Sequence, residues 1–334
     1  MDIKRIFTDG NLVDINVSMW TAKKLLTPED LGLAQTDISS AFTLGNKSLI
    51  PANVIAELRS LENKARSILI EHSFTFTFGG ARFIPKKRFI EFVDAIDKII
   101  ALFDAKADDL AKNYMDYRRD MRSEYVTAAH EAFNRATSLC VGFDITEDDF
   151  VNRFLERIEQ SYPKAEEIRK KFHMEYSVFQ VALPDISQAS YEDILDENGK
   201  IKIMQDAYQK SLYNKVNSFV ESSTNELRSK ATEVLTRFSN GLGEGKRINE
   251  GSLNSIKKMI DTYEKMDFIG DKIFLDHLKM FQAKCIDCYP AKTILTDEVV
   301  KSTVIRELKA VLKAAQDKSA IEQLALKYRS SIHI

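Results

Sequence analysis

Residues 86–122 read KKRFIEFVDAIDKIIALFDAKADDLAKNYMDYRRDMR, and this stretch decides the fold. Its apolar side chains Phe89, Val93, Ile96, Ile100, Phe103, Ala107, Leu110, Tyr114, Tyr117 and Met121 recur at alternating steps of four and three. That is a heptad stripe, the signature of a helix that pairs along its length. No glycine or proline lies between Lys86 and Val141. The spacing predicts a single rod, on the order of 55 Å over 86–122 at about 1.5 Å per residue. A seam so narrow and long needs a partner helix, since one rod cannot bury it alone. The stripe stops where Glu124 takes the next heptad position. Basic and acidic residues over 86–135 number ten each, so the rod is charge-balanced.

Upstream, Pro51 predicts the start of a helix whose face is Val54, Leu58, Leu61, Ala65 and Ile68 or Leu69. Between that helix and the rod, Phe74, Phe76 and Phe78 alternate with threonines, and Gly79-Gly80 turns the chain back into a second strand ended by Pro85. This is a β-hairpin pattern. Val13, Ile15, Val17 and Met19 alternate with polar residues and predict another strand. Tyr176 to Leu183 predicts a third strand segment, ended by Pro184.

Downstream of the rod, Thr146 to Asp149 has the form of a capping box, and Pro163 opens a short helix. A second long helix is predicted near 200–240, with the stripe Tyr208, Leu212, Val216, Phe219, Ser223, Leu227, Ala231, Val234 and Phe238. It is the best candidate partner for the first rod. Asn240 to Gly245 reads as a loop, followed by helices near 252–267, 270–284, 297–316 and 319–329.

The expected fold is α+β and predominantly α-helical, a long antiparallel, coiled-coil-like helical arm with a small antiparallel β-sheet. The expected organisation is 1–85 with 174–190 as sheet plus helix, 86–173 as long helix and short helices, and 191–334 as long helix and C-terminal helices, all one continuous unit.

Glycine and proline supply 18 of 334 residues, about 5% against roughly 12% in average proteins. Turn-dense sandwiches, propellers and doubly wound nucleotide-binding sheets are disfavoured. A formal charge of −2 creates no field that draws nucleic acid or an anionic membrane. No stretch of 18 residues is free of charge, so no membrane span is expected. Lys4, Arg5 and Asp9 interrupt any apolar run near the start, and three cysteines cannot build a disulfide framework. A cytoplasmic setting is expected.

Candidate chemistry is sparse. Cys285 and Cys288 form a C-x-x-C pair with His277 eight residues upstream. They are weak candidates for zinc, which normally takes four ligands, with Cys140 or His173 available only through the fold. A redox role would need a helix N-terminus after a strand, and this pair follows a helix. Gly241 to Arg247 falls short of a phosphate loop: three residues, not four, separate Gly241 from Gly245-Lys246, and Arg247 replaces the hydroxyl that would hold magnesium. The acidic runs Glu147-Asp148-Asp149 and Asp104, Asp108, Asp109 read as a helix start and an exposed helix face. Lys86, Lys87, Arg88, Arg118, Arg119 and Arg122 are the densest basic clusters, with Tyr114, Tyr117 and Tyr125 close by, and are possible nucleic-acid contacts. Acidic neighbours offset them.

The block from Val17 through Trp20 and Pro28 to Gly32 is similar to the opening of an uncharacterised bacterial and phage family known only as a domain of unknown function. The hairpin glycines, the long charged helix and Tyr176 to Phe179 agree in kind. Members of that family are often encoded beside a MoxR-like AAA ATPase and a von Willebrand factor A protein. The resemblance therefore implies an accessory protein of phage or mobile-element origin, and carries no catalytic residues. The expected function is a non-enzymatic scaffold or adaptor without a cofactor. It would bind an AAA ATPase, a von Willebrand factor A protein or its own copy through the seam Phe89 to Met121. The alternatives are a nucleic-acid-binding accessory protein in phage DNA metabolism and a metal-dependent enzyme centred on His277, Cys285 and Cys288.

Overall fold

A computed structural model describes residues 9–31, 44–76, 80–139, 145–179, 200–243, 248–317, 319 and 321–324. The fold is predominantly α-helical with a small antiparallel sheet, as the periodicities predict. The strands are β1 (Gly10–Met19), β2 (Lys23–Leu25), β3 (Asn46–Ser48), β4 (Phe74–Thr75), β5 (Arg82–Pro85) and β6 (Phe172–Phe179). The helices are α1 (Ala52–His72), α2 (Lys86–Leu139), α3 (Glu147–Glu159), α4 (Ala165–Ile168), α5 (Lys200–Gly243), α6 (Glu250–Met266), α7 (Lys272–Phe281), α8 (Ala291–Thr296) and α9 (Glu298–Ala315).

The main sheet has the order β4-β5-β1-β6, and β2 pairs with β3 in a separate ribbon. The hairpin pairs Phe74 with Phe83 and Thr75 with Arg82, turning through Gly80 at φ +79°. Phe78 and Gly79 lie outside the described residues. Gly10 sits opposite Pro85, where a Cβ would come within 2.4 Å of the Ile84 carbonyl oxygen, so only glycine permits this strand contact. The third strand begins at Phe172, earlier than expected, because Phe172 and Met174 already alternate inward between exposed His173 and Glu175. Residues 180–183 lie outside the described residues.

By its packing the chain divides into two units. One comprises Met1–Asp14, Leu69–Val93 and Ser177–Ile334; the other comprises Ile15–Ile68 and Asp94–Tyr176.

In the first unit the phenylalanines of β4 and β5 close on α5. Phe83 lies 5.3 Å from Phe219 and 4.8 Å from Phe268, ring to ring, and Phe76 lies 4.8 Å from Phe219. That cluster continues through Leu235, Phe274, Leu278 and Leu308 into the C-terminal helices. The second long helix packs on α6 and α9. It runs through Gly243, beyond the loop expected from Asn240, because Phe238 and Leu242 are both buried and hold the final turns. Its predicted contacts Tyr208, Leu212 and Val216 fall outside the residues whose side chains are described. Asn249 and Ser252 form the capping box that starts α6, while Asp271 and Asp297 cap α7 and α9.

α2 is longer than the seam predicted, 54 residues or about 80 Å. Ile96, Phe103, Ala107, Leu110 and Tyr114 are 0% exposed and Met121 is 7%. Phe89, Val93, Ile100 and Tyr117 are half-buried. The stripe is therefore consumed inside the folded chain. One partner is α1, which runs back along α2. His72 rests against Phe92, and about four turns further along each helix Glu57 pairs with Lys106 at 2.6 Å. Beyond that, short segments of the second unit cover the stripe. Trp20 packs edge-on against Tyr114, whose hydroxyl donates to the Pro163 carbonyl at 2.8 Å. Tyr125 donates to the Ser48 carbonyl and meets Phe154. The helix passes Glu124 because its inner face steps to Tyr125, Ala129 and Ala132, a drift that a straight helix makes against a seven-residue repeat.

Candidate functional site

Two helices of the first unit build a furrow with an apolar floor. Leu227, Ala231, Val234, Phe238 and Gly241 share one face of α5, at steps of three and four. Ser252, Ser255, Ile256, Met259, Tyr263 and Met266 share the facing side of α6. Leu227 meets Met266 at one end and Gly241 meets Ser252 at the other, so the helices are antiparallel. The two hollows between them hold about 280 Å³ each and have Val234 and Ser255 in common, so they lie next to each other along one trough. From Leu227 to Gly241 it runs about 21 Å, four helical turns.

The trough's walls carry three cations, Lys230 and Arg237 on α5 and Lys258 on α6, against one acid, Glu71. Lys230 holds Glu226 at 2.7 Å and Arg237 holds Glu233 at 3.0 Å, both one turn back on the same helix. The floor is apolar and the rim carries charge of both signs.

A buried polar hub fixes one end of the trough. Arg228, beside Leu227, is 3% exposed and grips Asp271 with two hydrogen bonds, Nε to Oδ2 at 2.6 Å and Nη2 to Oδ1 at 2.9 Å. Its Nη1 donates to the carbonyls of Ala314 and Asp317 at the C-terminal end of α9. The Tyr263 hydroxyl donates to Asp271 at 2.7 Å, and Phe274 donates its N–H to the same carboxylate. The guanidinium also lies 5.2 Å from the Phe274 ring centre. α5, α6, α7 and the end of α9 thus meet at one carboxylate. Burial pushes the Tyr263 phenol far above its ordinary range, so it stays a donor. Nearby, burial also raises the Asp267 carboxyl, although the Gly270 N–H donates to it at 2.8 Å.

The second unit has its own polar centre. Asp30 is 4% exposed and accepts from Lys47 at 2.6 Å and from the Thr27 N–H at 2.9 Å. Its Oδ1 accepts no hydrogen bond among the described residues and lies 3.8 Å from Arg157 Nε. Arg118 stacks 4.7 Å from the Tyr162 ring centre and pairs with Glu159. Burial pushes the Tyr114 and Tyr125 phenols up to about 12.

These placements correct several sequence expectations. Arg88 is buried and paired with Glu91, because it lies on the inner face with Phe92 and Ile96. Arg118 is tied to Tyr162 and Glu159. Lys86, Lys87, Arg119 and Arg122 remain exposed, with Arg119 paired to Asp116 at 2.8 Å. Asp104 and Asp108 clamp Arg169, which also donates to the Phe172 carbonyl and so anchors β6. Thr146 caps α3 as predicted, accepting from the Asp149 N–H at 3.2 Å.

The cysteine pair sits in and just after a wide helical turn, Gln282–Ile286, that extends α7. Cys285 is fully buried, and burial pushes its thiol up to about 11, which keeps it protonated near neutral pH. Cys288 is exposed and donates to the Ala283 carbonyl at 3.0 Å. His277 turns its Nδ1 to the Ile273 carbonyl at 2.8 Å. Among the described residues no group of three or more His, Cys, Asp and Glu side chains is placed to hold a metal ion. Cys140 lies outside them. Among the described residues no helix is long and apolar enough to cross a membrane.

The sequence marked the α5 wall of the trough through Leu227, Ala231, Val234 and Phe238. It did not mark Arg228, Asp271 or Tyr263 as a set. Asp271 before Phe274 has the form of a helix start, but nothing in the spacing links it to an arginine 43 positions upstream.

A family model described as "Protein of unknown function (DUF3150)" matches residues 9–275, so the chain belongs to that family. The matched region includes both walls of the trough and Asp271, and ends before Cys285. No curated protein and no solved structure matches the chain.

Proposed function

We propose that this DUF3150 protein is a non-enzymatic adaptor that receives an amphipathic, acidic helix of a partner protein in the trough between α5 and α6. One observation carries this reading: the groove between α5 and α6 leaves Val234 and Met259 half-buried and Ser255 and Lys258 exposed between charged rims, while the chain's most conspicuous apolar stripe, on α2, is already buried. A helix laid in a groove anchors through side chains at i, i+3 or i+4, and i+7, and about four turns supply a full set. Lys258 complements acidic residues flanking those anchors, and Lys230 and Arg237 do so by exchanging their exposed partners Glu226 and Glu233.

The partner class follows from the resemblance of the Val17 to Gly32 block: a MoxR-like AAA ATPase or a von Willebrand factor A protein encoded near the gene, in a bacterial cytoplasm and of phage or mobile-element origin. Binding of nucleic acid has less support, because Arg88 and Arg118 serve packing. A metal enzyme at His277, Cys285 and Cys288 has less again, because Cys285 points into the core, while Cys288, which is exposed, and His277 are turned to the Ala283 and Ile273 carbonyls.

The test is co-expression with the neighbouring ATPase or von Willebrand factor A protein. The wild type is expected to co-purify with it. Val234→Asp and Lys258→Glu are expected to lose it, exposed Lys258→Glu at unchanged melting temperature, and Met115→Glu on the exposed face of α2 is expected to keep it. Retention by both trough variants defeats the reading.

A further inference from the structure

The stripe of α5 is interrupted by a run of three hydroxyls, Ser222, Ser223 and Thr224. Two of them bond back along the helix in the ordinary way: Ser222 donates to the Phe219 carbonyl at 3.0 Å and Thr224 to the Val220 carbonyl at 2.9 Å. The carbonyl one turn behind Ser223 is that same Phe219 oxygen, already engaged by Ser222. Ser223 is 2% exposed, and its hydroxyl has no hydrogen-bond partner among the described residues. A buried hydroxyl is nearly always given a partner, because leaving it without one is costly.

Ser223 faces a small, partly enclosed space of about 10 Å³, bordered by half-buried Asp267 and by Asp271 from the turn between α6 and α7. A single water needs about that much room, and two to four polar groups to hold it. The neighbouring acceptors are not equal. Asp271 already accepts from Arg228, Tyr263 and Phe274. Among the described residues Asp267 accepts only from backbone N–H groups of its own turn, Gly270 through Oδ1 at 2.8 Å with Ile269 and Asp271 beside it, and from no side chain. The lining also holds the hydroxyls of Thr224 and Tyr263, which already donate to Val220 and Asp271, and is otherwise apolar, including Phe74, Leu227 and Met266.

We infer that this space is a binding site for one water molecule, which accepts the Ser223 hydroxyl proton and donates to the Asp267 carboxylate. The water joins the middle of α5 to the 267–271 turn, beside the hub and next to the floor of the trough. It explains why a serine stands in a stripe that otherwise calls for an apolar residue. The inference is independent of the adaptor reading, since it concerns only how two segments of this chain are joined.

The direct test is a crystal structure of the full chain at a resolution that shows ordered water. One peak is expected in this space, about 2.6–3.2 Å from both Ser223 Oγ and an Asp267 oxygen. In solution, Ser223→Ala is expected to raise the unfolding equilibrium constant about fivefold, the loss of one bridged hydrogen bond. That effect is expected to shrink in an Asp267→Ala background, because both substitutions remove the same bridge. Ser223 Oγ turned onto the Phe219 carbonyl with no density in the space overturns the inference, and so does full additivity of the two substitutions. If either variant fails to fold, the wild-type density decides.

Discussion

Asp271 and Asp30 are both buried aspartates facing a basic side chain, yet their surroundings differ. Asp271 accepts two bonds from one planar guanidinium and two more from Tyr263 and Phe274, so both of its oxygens are used. Asp30 spends one oxygen on Lys47 and Thr27 and leaves the other facing Arg157 at 3.8 Å, on a side chain that is 41% exposed. The first is a closed junction of four elements. The second fixes a turn and a ribbon and keeps one side open to partly solvated charge. A carboxylate that is completely satisfied holds its neighbours rigidly, and losing it strands a charge that water cannot reach.

The contrast breaks down if the two sites respond alike to substitution. Asp271→Asn is expected to have the largest effect, about 3–5 kcal/mol of stability in a denaturant titration, because Arg228 keeps its charge in a buried site. Asp30→Asn is expected to cost less, about 1–3 kcal/mol, since Arg157 can turn to solvent and one acceptor was unused. Equal losses would show that hydrogen-bond saturation does not set the difference.

Asp267 sharpens the comparison from the opposite direction. Burial raises its carboxyl above the ordinary value, so the folded state holds the proton more tightly than the unfolded state. Its contribution to stability is complete below the ordinary carboxylate range and is lost as pH rises through the raised folded value. Asp267→Asn cannot ionise and still accepts from Gly270. It is expected to stabilise the protein at neutral pH, with the gain vanishing in acid, as measured by melting temperature against pH. A gain independent of pH would contradict this assignment.

The smallest expected effect is at Ala22, a non-glycine residue at φ +52° whose carbonyl accepts from the Leu49 N–H at 2.8 Å. Ala22→Gly relieves about 1 kcal/mol of backbone strain, partly offset by greater freedom in the unfolded chain.

Much of the architecture was legible from local periodicity. The heptad steps from Phe89 to Met121 gave α2 and its buried face, and the alternation of Phe74 and Phe76 gave β4 and its glycine turn. These signals survive because they repeat within one element. The identity of the stripe's partner was not legible. Apolar spacing states that a face is buried but not by what, and α1 with several short segments covers what a second long rod was expected to cover. The end of α5 was misread because the glycines outweighed Leu242, whose burial depends on helices far along the chain. The hub was invisible for the same reason: Arg228, Tyr263 and Asp271 each look ordinary where they stand, and only the packing of α5 through α9 brings them together.

The most direct test of the adaptor account is site-specific photo-crosslinking with a benzoylphenylalanine placed at Val234 in the trough or at Met115 on α2. The co-expressed ATPase or von Willebrand factor A protein is predicted to crosslink from position 234 and not from position 115. Crosslinks from 115 alone, or equally from both, would contradict it.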